Sequence, residues 1–260
     1  MTVFNGGWWS LITHAFVHIQ LMHFFFNMYW LFIMGPVLER EFGSARAILF
    51  VIGAAIASSG WQLATGAGGI GFSGVGYAIV GFGWMARTQR PYLSAVFNDR
   101  TLQLFGVWGV LCIFLDYFHI QSVGNVAHAV GFGFGVLVGL ACFKRSAFAW
   151  IGLGLIVIAA FIPIYWNPKS PDWAFEKALE ANQQKQYDRA VELYQRSLDL
   201  GMDPASAWFN IALIYGNQRK EKEYRNAIGQ LRRSSPSKAK ELTDYFGDPE
   251  ESDSTNPQKR

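Results

Sequence analysis

Four polar side chains in apolar stretches of the sequence have the types and spacing needed for hydrolytic chemistry. Ser73 lies between glycines, in Gly71-Phe-Ser-Gly-Val-Gly-Tyr77, at the start of an apolar segment. A hydroxyl at a helix N-terminus lies beside free backbone N–H groups, which stabilise developing negative charge. His128 lies on a second apolar segment, and His23 and Asn27 lie one helical turn apart on a third. A serine needs an adjacent base to become nucleophilic at neutral pH, and histidine is a common one.

Each of these features also has a plainer structural interpretation. Glycine and serine are common where membrane helices pack closely, so the glycine–serine string alone is weak evidence. His18 can be an interfacial residue, and Asn27 can hydrogen-bond a neighbouring helix. For either the histidine or the asparagine taken alone the plainer interpretation is favoured, so a catalytic interpretation depends on the joint occurrence of these residues.

A stripe of glycines on the segment that carries His128 predicts close helix packing. Gly131, Gly135 and Gly139 recur every four residues and so share one helix face. His128 lies on the same side, one turn before Gly131. Packing along the stripe would hold the imidazole against the neighbouring helix, and the segment that begins near Ser73 is the fitting candidate.

The 260 residues divide into two parts of different composition. Residues 1–166 hold seven basic and four acidic side chains, whereas residues 167–260 hold fifteen of each. The first part has the composition of a membrane domain and the second that of a soluble one. Basic residues are not interleaved with aromatic ones, so we expect no nucleic-acid partner. Cys112 and Cys142 lie in apolar runs without ligand-like spacing, so we expect neither a metal nor a cofactor.

Six apolar segments in the first part are candidate membrane spans, which together predict an all-α, polytopic helical bundle in a lipid bilayer. They cover residues 11–35, 45–64, 72–86, 101–118, 125–143 and 147–166. Most approach the ~20 residues that a helix needs to cross a bilayer. The third is shorter, so we expect it to begin below the membrane surface under the glycine-rich loop 65–71. Irregular backbone at that depth must be satisfied by protein or water.

The basic residues of the first part predict the orientation of these spans. All seven lie in alternate loops, at 36–46, 87–100 and 144–145. Cytoplasmic loops of membrane proteins are enriched in Lys and Arg. The amino terminus, the Ser73 loop and the chain after Trp166 are therefore predicted to lie outside the cytoplasm, in a protein of the bacterial inner membrane.

The soluble part is predicted to form helical pairs. The first pair covers 174–184 and 187–200, and the second covers 205–216 and 221–233. The spacing of small residues, aromatic residues and a turn proline resembles the tetratricopeptide repeat, as at Ala190, Tyr194, Pro204, Trp208 and Tyr215. About two repeats are visible where about three normally bury a stable core, so dimerisation or docking would complete it. The acidic, polar tail 247–260 is predicted to be disordered.

Three motifs, in order on three separate segments, resemble those of the rhomboid intramembrane serine proteases. They are His18-x4-His23-x3-Asn27, Gly71-x-Ser73-Gly74 and Ala127-His128-x2-Gly131-x3-Gly135. The resemblance covers residues 8–145 and implies a six-helix bundle around a water-filled cavity that opens outward. The expected domains are a membrane core (1–145), an additional span (146–167), the repeats (168–246) and the tail (247–260).

The resemblance also implies a role for each motif residue. Ser73 would be the nucleophile and His128 its general base. His23, Asn27 and the Ser73 backbone N–H would stabilise the oxyanion.

Two further residues would support this pair. Tyr77 resembles the aromatic residue that packs on the catalytic imidazole in the family, and Gly71 belongs to the oxyanion loop. A buried carboxylate is costly inside a membrane bundle, and Asp116 is the only acid near the outer face. A Ser–His dyad is therefore favoured over a triad.

These roles predict a serine endopeptidase that cleaves single-span membrane proteins near the outer face of the inner membrane. The alternative is a catalytically inactive rhomboid-like protein that binds client helices. In either case the repeats would offer a surface to peptide or protein partners, or would only pack on the membrane domain. A transporter is disfavoured because no span carries a charged pair or a proline-broken helix near the midplane. The first helix of the family has no counterpart here, which fits an internal start or a shortened variant whose additional span replaces part of the packing.

Overall fold

The structure, a computed structural model, describes residues 3–66 and 71–249, and the regular elements among them are all helices. The predicted all-α class is thus confirmed for the described part of the chain. Residues 67–70 of the predicted glycine-rich loop lie outside it, and so do residues 250–260 of the tail predicted to be disordered. The chain divides into two compact units, Met1–Asn167 and Pro168–Arg260.

The first unit contains nine α-helices among its described residues. They are α1 (Ser10–Thr13), α2 (Leu21–Phe42), α3 (Ser44–Leu63), α4 (Ser73–Ala86), α5 (Pro91–Val96), α6 (Asp99–Tyr117), α7 (Asn125–Phe143), α8 (Ala147–Ala159) and α9 (Ile162–Tyr165). Among the described residues, α2, α3, α7 and the continuous stretch α8–α9 are long and apolar enough to cross a membrane. These helices support a multi-pass membrane protein. The count of six spans stays a prediction, since α4 has only 14 residues.

The first predicted span has the wrong boundaries. A single helix over 11–35 was expected, but the backbone is extended at Val17 and Gln20, and α2 begins only at Leu21. Apolar residues continue on both sides of this break, so hydropathy does not reveal it. The extended segment places His18 off the helix that carries His23. The helix α2 also continues past Pro36 to Phe42, so part of the predicted loop 36–46 is helical.

The helix α4 lies at the centre of the first unit. Ten of its 14 residues are buried, which is possible because other helices surround it. It packs against α7 with the two backbones almost in contact. A Cβ atom on Gly131 would lie 2.1 Å from the Gly74 carbonyl oxygen, and one on Gly135 would lie 1.8 Å from the Ala78 carbonyl oxygen. The glycine stripe therefore receives α4, as the sequence predicted.

The second unit is a succession of helices that pack in chain order. They are α10 (Pro171–Gln183), α11 (Tyr187–Asp199), α12 (Pro204–Asn217), α13 (Glu221–Ser234) and α14 (Pro236–Phe246). The first four are the two predicted pairs. The fifth was not predicted, because its buried apolar residues are few, Ala239 and Leu242. Phe246 of α14 packs against Gly216 of α12, so this helix covers the end of the second pair.

The contact between α4 and α7 can be tested with two alanine substitutions on the same helix. Gly135→Ala places a methyl group against the backbone of α4, whereas Gly133→Ala meets no atom within 4 Å. We expect Gly135→Ala to lower the free energy of unfolding by about 1–3 kcal/mol, since overpacking forces backbone shifts. Gly133→Ala should be neutral or stabilising by up to about 1 kcal/mol, because alanine favours helix.

Thermal unfolding in detergent measures both effects. Equal melting temperatures for the two variants would contradict the close approach of α4 and α7.

Candidate active site

A serine hydroxyl and an imidazole are in hydrogen-bond contact where α4 and α7 begin. Ser73 is the first residue of α4, and His128 is the fourth residue of α7. The Ser73 Oγ lies 2.9 Å from the His128 Nε2. Both line a cavity of about 710 Å³ in the first unit. A hydroxyl at this distance from an imidazole nitrogen can be activated as a nucleophile by proton transfer.

The imidazole of His128 is held by an aromatic ring rather than by a carboxylate. The Tyr77 ring stacks on it with centroids 4.5 Å apart and planes 23° apart. The Tyr77 hydroxyl donates a hydrogen bond of 3.0 Å to the Phe105 carbonyl oxygen on α6, which fixes the ring. Among the described residues, the buried His128 Nδ1 has no hydrogen-bond partner. The stacked ring therefore sets the orientation of the imidazole.

Asp116 is the acidic residue nearest to His128 in the sequence, but its hydrogen bonds are made to other residues. Its carboxylate accepts hydrogen bonds of 3.2 Å from the Val123 backbone N–H and from the Asn125 side-chain amide. These contacts join the end of α6 to the start of α7. Asp116 thus fixes the loop before His128 and does not orient the imidazole directly.

Two polar side chains of α2 face the same cavity as Ser73. They are His23 and Asn27, which lie four residues apart on one helix face. Asn27 is 6% exposed, and its side-chain nitrogen lies 2.9 Å from the Nε2 of His18. An amide held in this way is an uncharged hydrogen-bond donor, which is the kind of group that stabilises an oxyanion without burying a charge.

His18 connects this amide to the loop before Ser73. Its Nδ1 lies 3.2 Å from the Phe16 carbonyl oxygen, which requires a proton on that nitrogen. Its Nε2 is then an acceptor, for the Asn27 amide and, at 3.4 Å, for the Phe72 backbone N–H. His18 lies outside the helices, between Val17 and Gln20 with their extended backbone, and its ring reaches both partners. The His18 imidazole therefore positions Asn27 relative to the residue before Ser73.

Gly71 is at a position that only glycine fits. Its φ is +105°, a left-handed conformation that favours glycine, and a Cβ atom there would lie 2.4 Å from the His23 Cε1. Its backbone N–H donates a 3.0 Å hydrogen bond to the His14 carbonyl oxygen. The missing side chain leaves room for the His23 ring beside the loop that leads to Ser73.

Aromatic rings of α2 and α6 lie along one side of the cavity. The Phe26 and Trp108 ring centroids are 5.1 Å apart, and those of Trp30 and Phe105 are 4.9 Å apart. These contacts close the space between the two helices with apolar side chains.

Residues 5–145 match the family described as "Rhomboid domain". The chain belongs to the rhomboid family. It is also 34% identical over 134 residues to the Rhomboid protease GlpG of Salmonella paratyphi A. The aligned residues make up 51% of this chain and 46% of that protein. The Rhomboid protease GlpG of Yersinia pestis (strain Pestoides F) is 31% identical over 141 residues, 54% of this chain and 50% of that protein. The chain thus spans about half the length of these relatives.

All the site residues predicted from the rhomboid resemblance line the cavity. These are His23, Asn27, Gly71, Ser73, Tyr77 and His128. Their catalytic roles are taken up below as proposals.

Two polar residues that contact this constellation were not among the predicted site residues. His18 was part of the quoted motif but was interpreted as interfacial when taken alone. Gln62 is the second, since its Oε1 accepts a 3.1 Å hydrogen bond from the Ala127 backbone N–H. A polar residue inside an apolar segment is costly in a membrane and so signals a partner, but the sequence does not say which one.

Gly71→Ala tests the tight fit of the loop against His23. We expect the substitution to lower the rate at which Ser73 reacts with a fluorophosphonate by about a hundredfold, since displacement of the loop misaligns Ser73 and the donors around it. Mass spectrometry of the labelled chain gives the site and the rate.

Gly6→Ala is the matched control for backbone strain. Gly6 also has a positive φ, +78°, but a Cβ atom there meets nothing within 4 Å. Reaction rates reduced equally in both variants would mean that backbone strain, and not contact with His23, lowers the reactivity of Ser73.

Proposed function

We propose that the first unit is an intramembrane serine endopeptidase in which Ser73 and His128 form the catalytic dyad. The 2.9 Å contact of the Ser73 Oγ with the His128 Nε2 carries this proposal. Its position in a cavity walled by apolar helices supports a substrate that comes from the bilayer, and the similarity to rhomboid proteases supports peptide-bond hydrolysis.

In the first half of the reaction the Ser73 Oγ attacks the carbonyl carbon of the scissile bond. The hydroxyl proton passes to the His128 Nε2, and the carbonyl oxygen becomes an oxyanion. His23, Asn27 and the Ser73 backbone N–H stabilise this charge as donors. His128 then returns the proton to the nitrogen of the leaving peptide, and an acyl-enzyme remains.

In the second half a water molecule from the cavity attacks the acyl-enzyme. His128 accepts a proton from the water as the new C–O bond forms, and returns it to the Ser73 Oγ as the acyl C–Oγ bond breaks, which restores the hydroxyl and releases the peptide with a new carboxyl end. A transient imidazolium is the only cationic state that the cycle requires. Stacking on the Tyr77 ring suits this state, because an aromatic face attracts a cation.

Cleavage of a single-span membrane protein in proteoliposomes tests this proposal. We expect the wild type to cut such a substrate, and Ser73→Ala and His128→Ala each to lower the turnover by about a thousandfold or more. Ser94→Ala is the matched control, since Ser94 lies on α5 and its hydroxyl donates to the Arg87 carbonyl oxygen, away from the cavity. It should retain turnover.

No turnover by a folded wild type, or full turnover by Ser73→Ala, would contradict the proposal. The first outcome would favour the alternative, a membrane protein that binds client helices without cleaving them.

The loop charges support an orientation with the cavity directed away from the cytoplasm. The seven basic residues of the first unit lie in the segments 36–46, 87–100 and 144–145, and none lies in the loop 65–71 that leads to Ser73. Cytoplasmic loops are enriched in such residues. Cleavage would then take place near the outer face of a bacterial inner membrane. The chain after Trp166 would also lie outside, provided that α8–α9 spans the bilayer.

Cysteine labelling in intact cells tests this orientation. A membrane-impermeant maleimide should label Asp199→Cys and should not label Thr88→Cys until the membrane is permeabilised. Both positions are exposed in their own units, so access across the bilayer decides the result. Labelling of Thr88→Cys alone would reverse the orientation, and the parent chain gives the background from its own cysteines.

For the second unit we propose a short tetratricopeptide-like repeat that binds peptide or protein segments. The stacked pairs α10–α11 and α12–α13 support it, together with the buried Ala190, Tyr194 and Ile211. The helix α14 covers the end of the second pair, which reduces the need for a third repeat.

A further inference from the structure

The helices α8 and α9 lie beyond the matched rhomboid region and pack against the C-terminal end of α3. The Trp61 Nε1 donates a 3.0 Å hydrogen bond to the Ile156 carbonyl oxygen. The Asn167 side-chain amide donates one of 2.7 Å to the Leu63 carbonyl oxygen, and Asn167 is only 2% exposed. Two side-chain hydrogen bonds therefore join residues just before and just after Gln62 to the last helices of the unit.

Close backbone packing fixes the same junction. A Cβ atom on Gly60 would lie 2.2 Å from the Ala160 carbonyl oxygen, so α3 and the end of α8 touch without an intervening side chain. Gly60 and Leu63 are three residues apart and share one face of α3. This face meets α8 and α9.

Gln62 points from the same turn of α3 to α7. It is 6% exposed, and its Oε1 accepts a 3.1 Å hydrogen bond from the Ala127 backbone N–H. Ala127 is the third residue of α7, where a backbone N–H has no partner within its own helix. The Gln62 Nε2 donates to the Thr65 Oγ1 at 3.3 Å, which fixes the amide orientation. Gln62 thus caps the helix at the residue before His128.

A second connection runs from α9 to the loop before Ser73. Leu11 of α1 and Ile164 of α9 belong to one buried cluster, against which Leu63 packs. Three residues after Leu11, the His14 carbonyl oxygen accepts the Gly71 backbone N–H. Both members of the serine–histidine pair are therefore connected to α8–α9 by contacts and short stretches of chain.

We propose that α8–α9 and Asn167 form a brace that positions the dyad, with Trp61, Gln62 and Asn167 as positioning residues. The brace fixes the end of α3, and Gln62 on that end holds the first turn of α7 and with it His128. This inference rests on the proposed function for its consequence in catalysis, but the contact path has its own readout. Gln62 also lines the cavity, so the positioning effect is read from Trp61 and Asn167.

Amide hydrogen exchange over residues 124–130 of the full chain tests the path without any assay of activity. Gln62→Met keeps the side-chain length and removes the acceptor, and we expect exchange of the Ala127 amide to rise about tenfold or more. Gln62→Glu keeps an acceptor oxygen and should restore much of the protection. Asn167→Ala and Trp61→Phe should raise the exchange in the same direction, although the hydrogen bonds of both side chains are made to other partners, the Leu63 and Ile156 carbonyl oxygens.

Turnover of a single-span substrate is measured on the same variants. We expect kcat to fall about tenfold in Asn167→Ala with KM little changed, because positioning of the base is lost and the cavity lining is not altered. We expect kcat to fall in Gln62→Met as well, but Gln62 lines the cavity, so the comparison of kcat with KM is made on Asn167→Ala. Trp150→Phe is the matched control, since Trp150 is an exposed side chain of α8, 58% exposed, and should leave both readouts unchanged.

The two readouts separate failure of the brace from failure of the proposed function. Unchanged Ala127 exchange in Asn167→Ala and Trp61→Phe would overturn the brace, whatever the turnover. Raised exchange in a chain whose wild type cleaves nothing would support the contact path and overturn the proposed function. If Gln62→Met loses helicity by circular dichroism, exchange in Gln62→Glu and Trp61→Phe decides.

Discussion

The site depends on the near contact of two helix backbones, α4 and α7. Ser73 begins one helix and His128 lies in the first turn of the other, so the separation of the helices sets the 2.9 Å contact of the two side chains. Any side chain at Gly131 would collide with the backbone at Gly74, one residue after Ser73. Close packing of this kind is a main source of helix association in membranes, where lipid is as apolar as the side chains. The same glycines therefore stabilise the unit and bring Ser73 and His128 together.

The second constraint is that the polar side chains at the site are held by partners that carry no fixed charge. Asn27 is held by His18, the imidazole of His128 is stacked on Tyr77, and Gln62 caps α7. Uncharged partners avoid the cost of burying an ion pair in a low-dielectric environment. The carboxylate of Asp116 contributes at a distance, by fixing the loop before α7.

Much of this arrangement follows from patterns local in sequence. The glycine stripe predicted the packing of α7, and the bounds 125–143 agree with that helix. The break before Leu21 was missed because apolar residues lie on both sides of it. The hydrogen bond from Ala127 to Gln62 joins residues 65 positions apart, so no periodicity encodes it. The helix α14 was missed because it buries few apolar residues. Local pattern thus gives the helices, whereas contacts between distant segments need the fold.

The most direct test is an experimental structure of the full chain after reaction with a peptidyl phosphonate, which mimics the tetrahedral intermediate. The account predicts a covalent bond from phosphorus to the Ser73 Oγ. It also predicts a phosphoryl oxygen within hydrogen-bond distance, about 2.7–3.1 Å, of the Asn27 amide and the Ser73 backbone N–H. An adduct on another residue, or a phosphoryl oxygen turned away from Asn27, would contradict it.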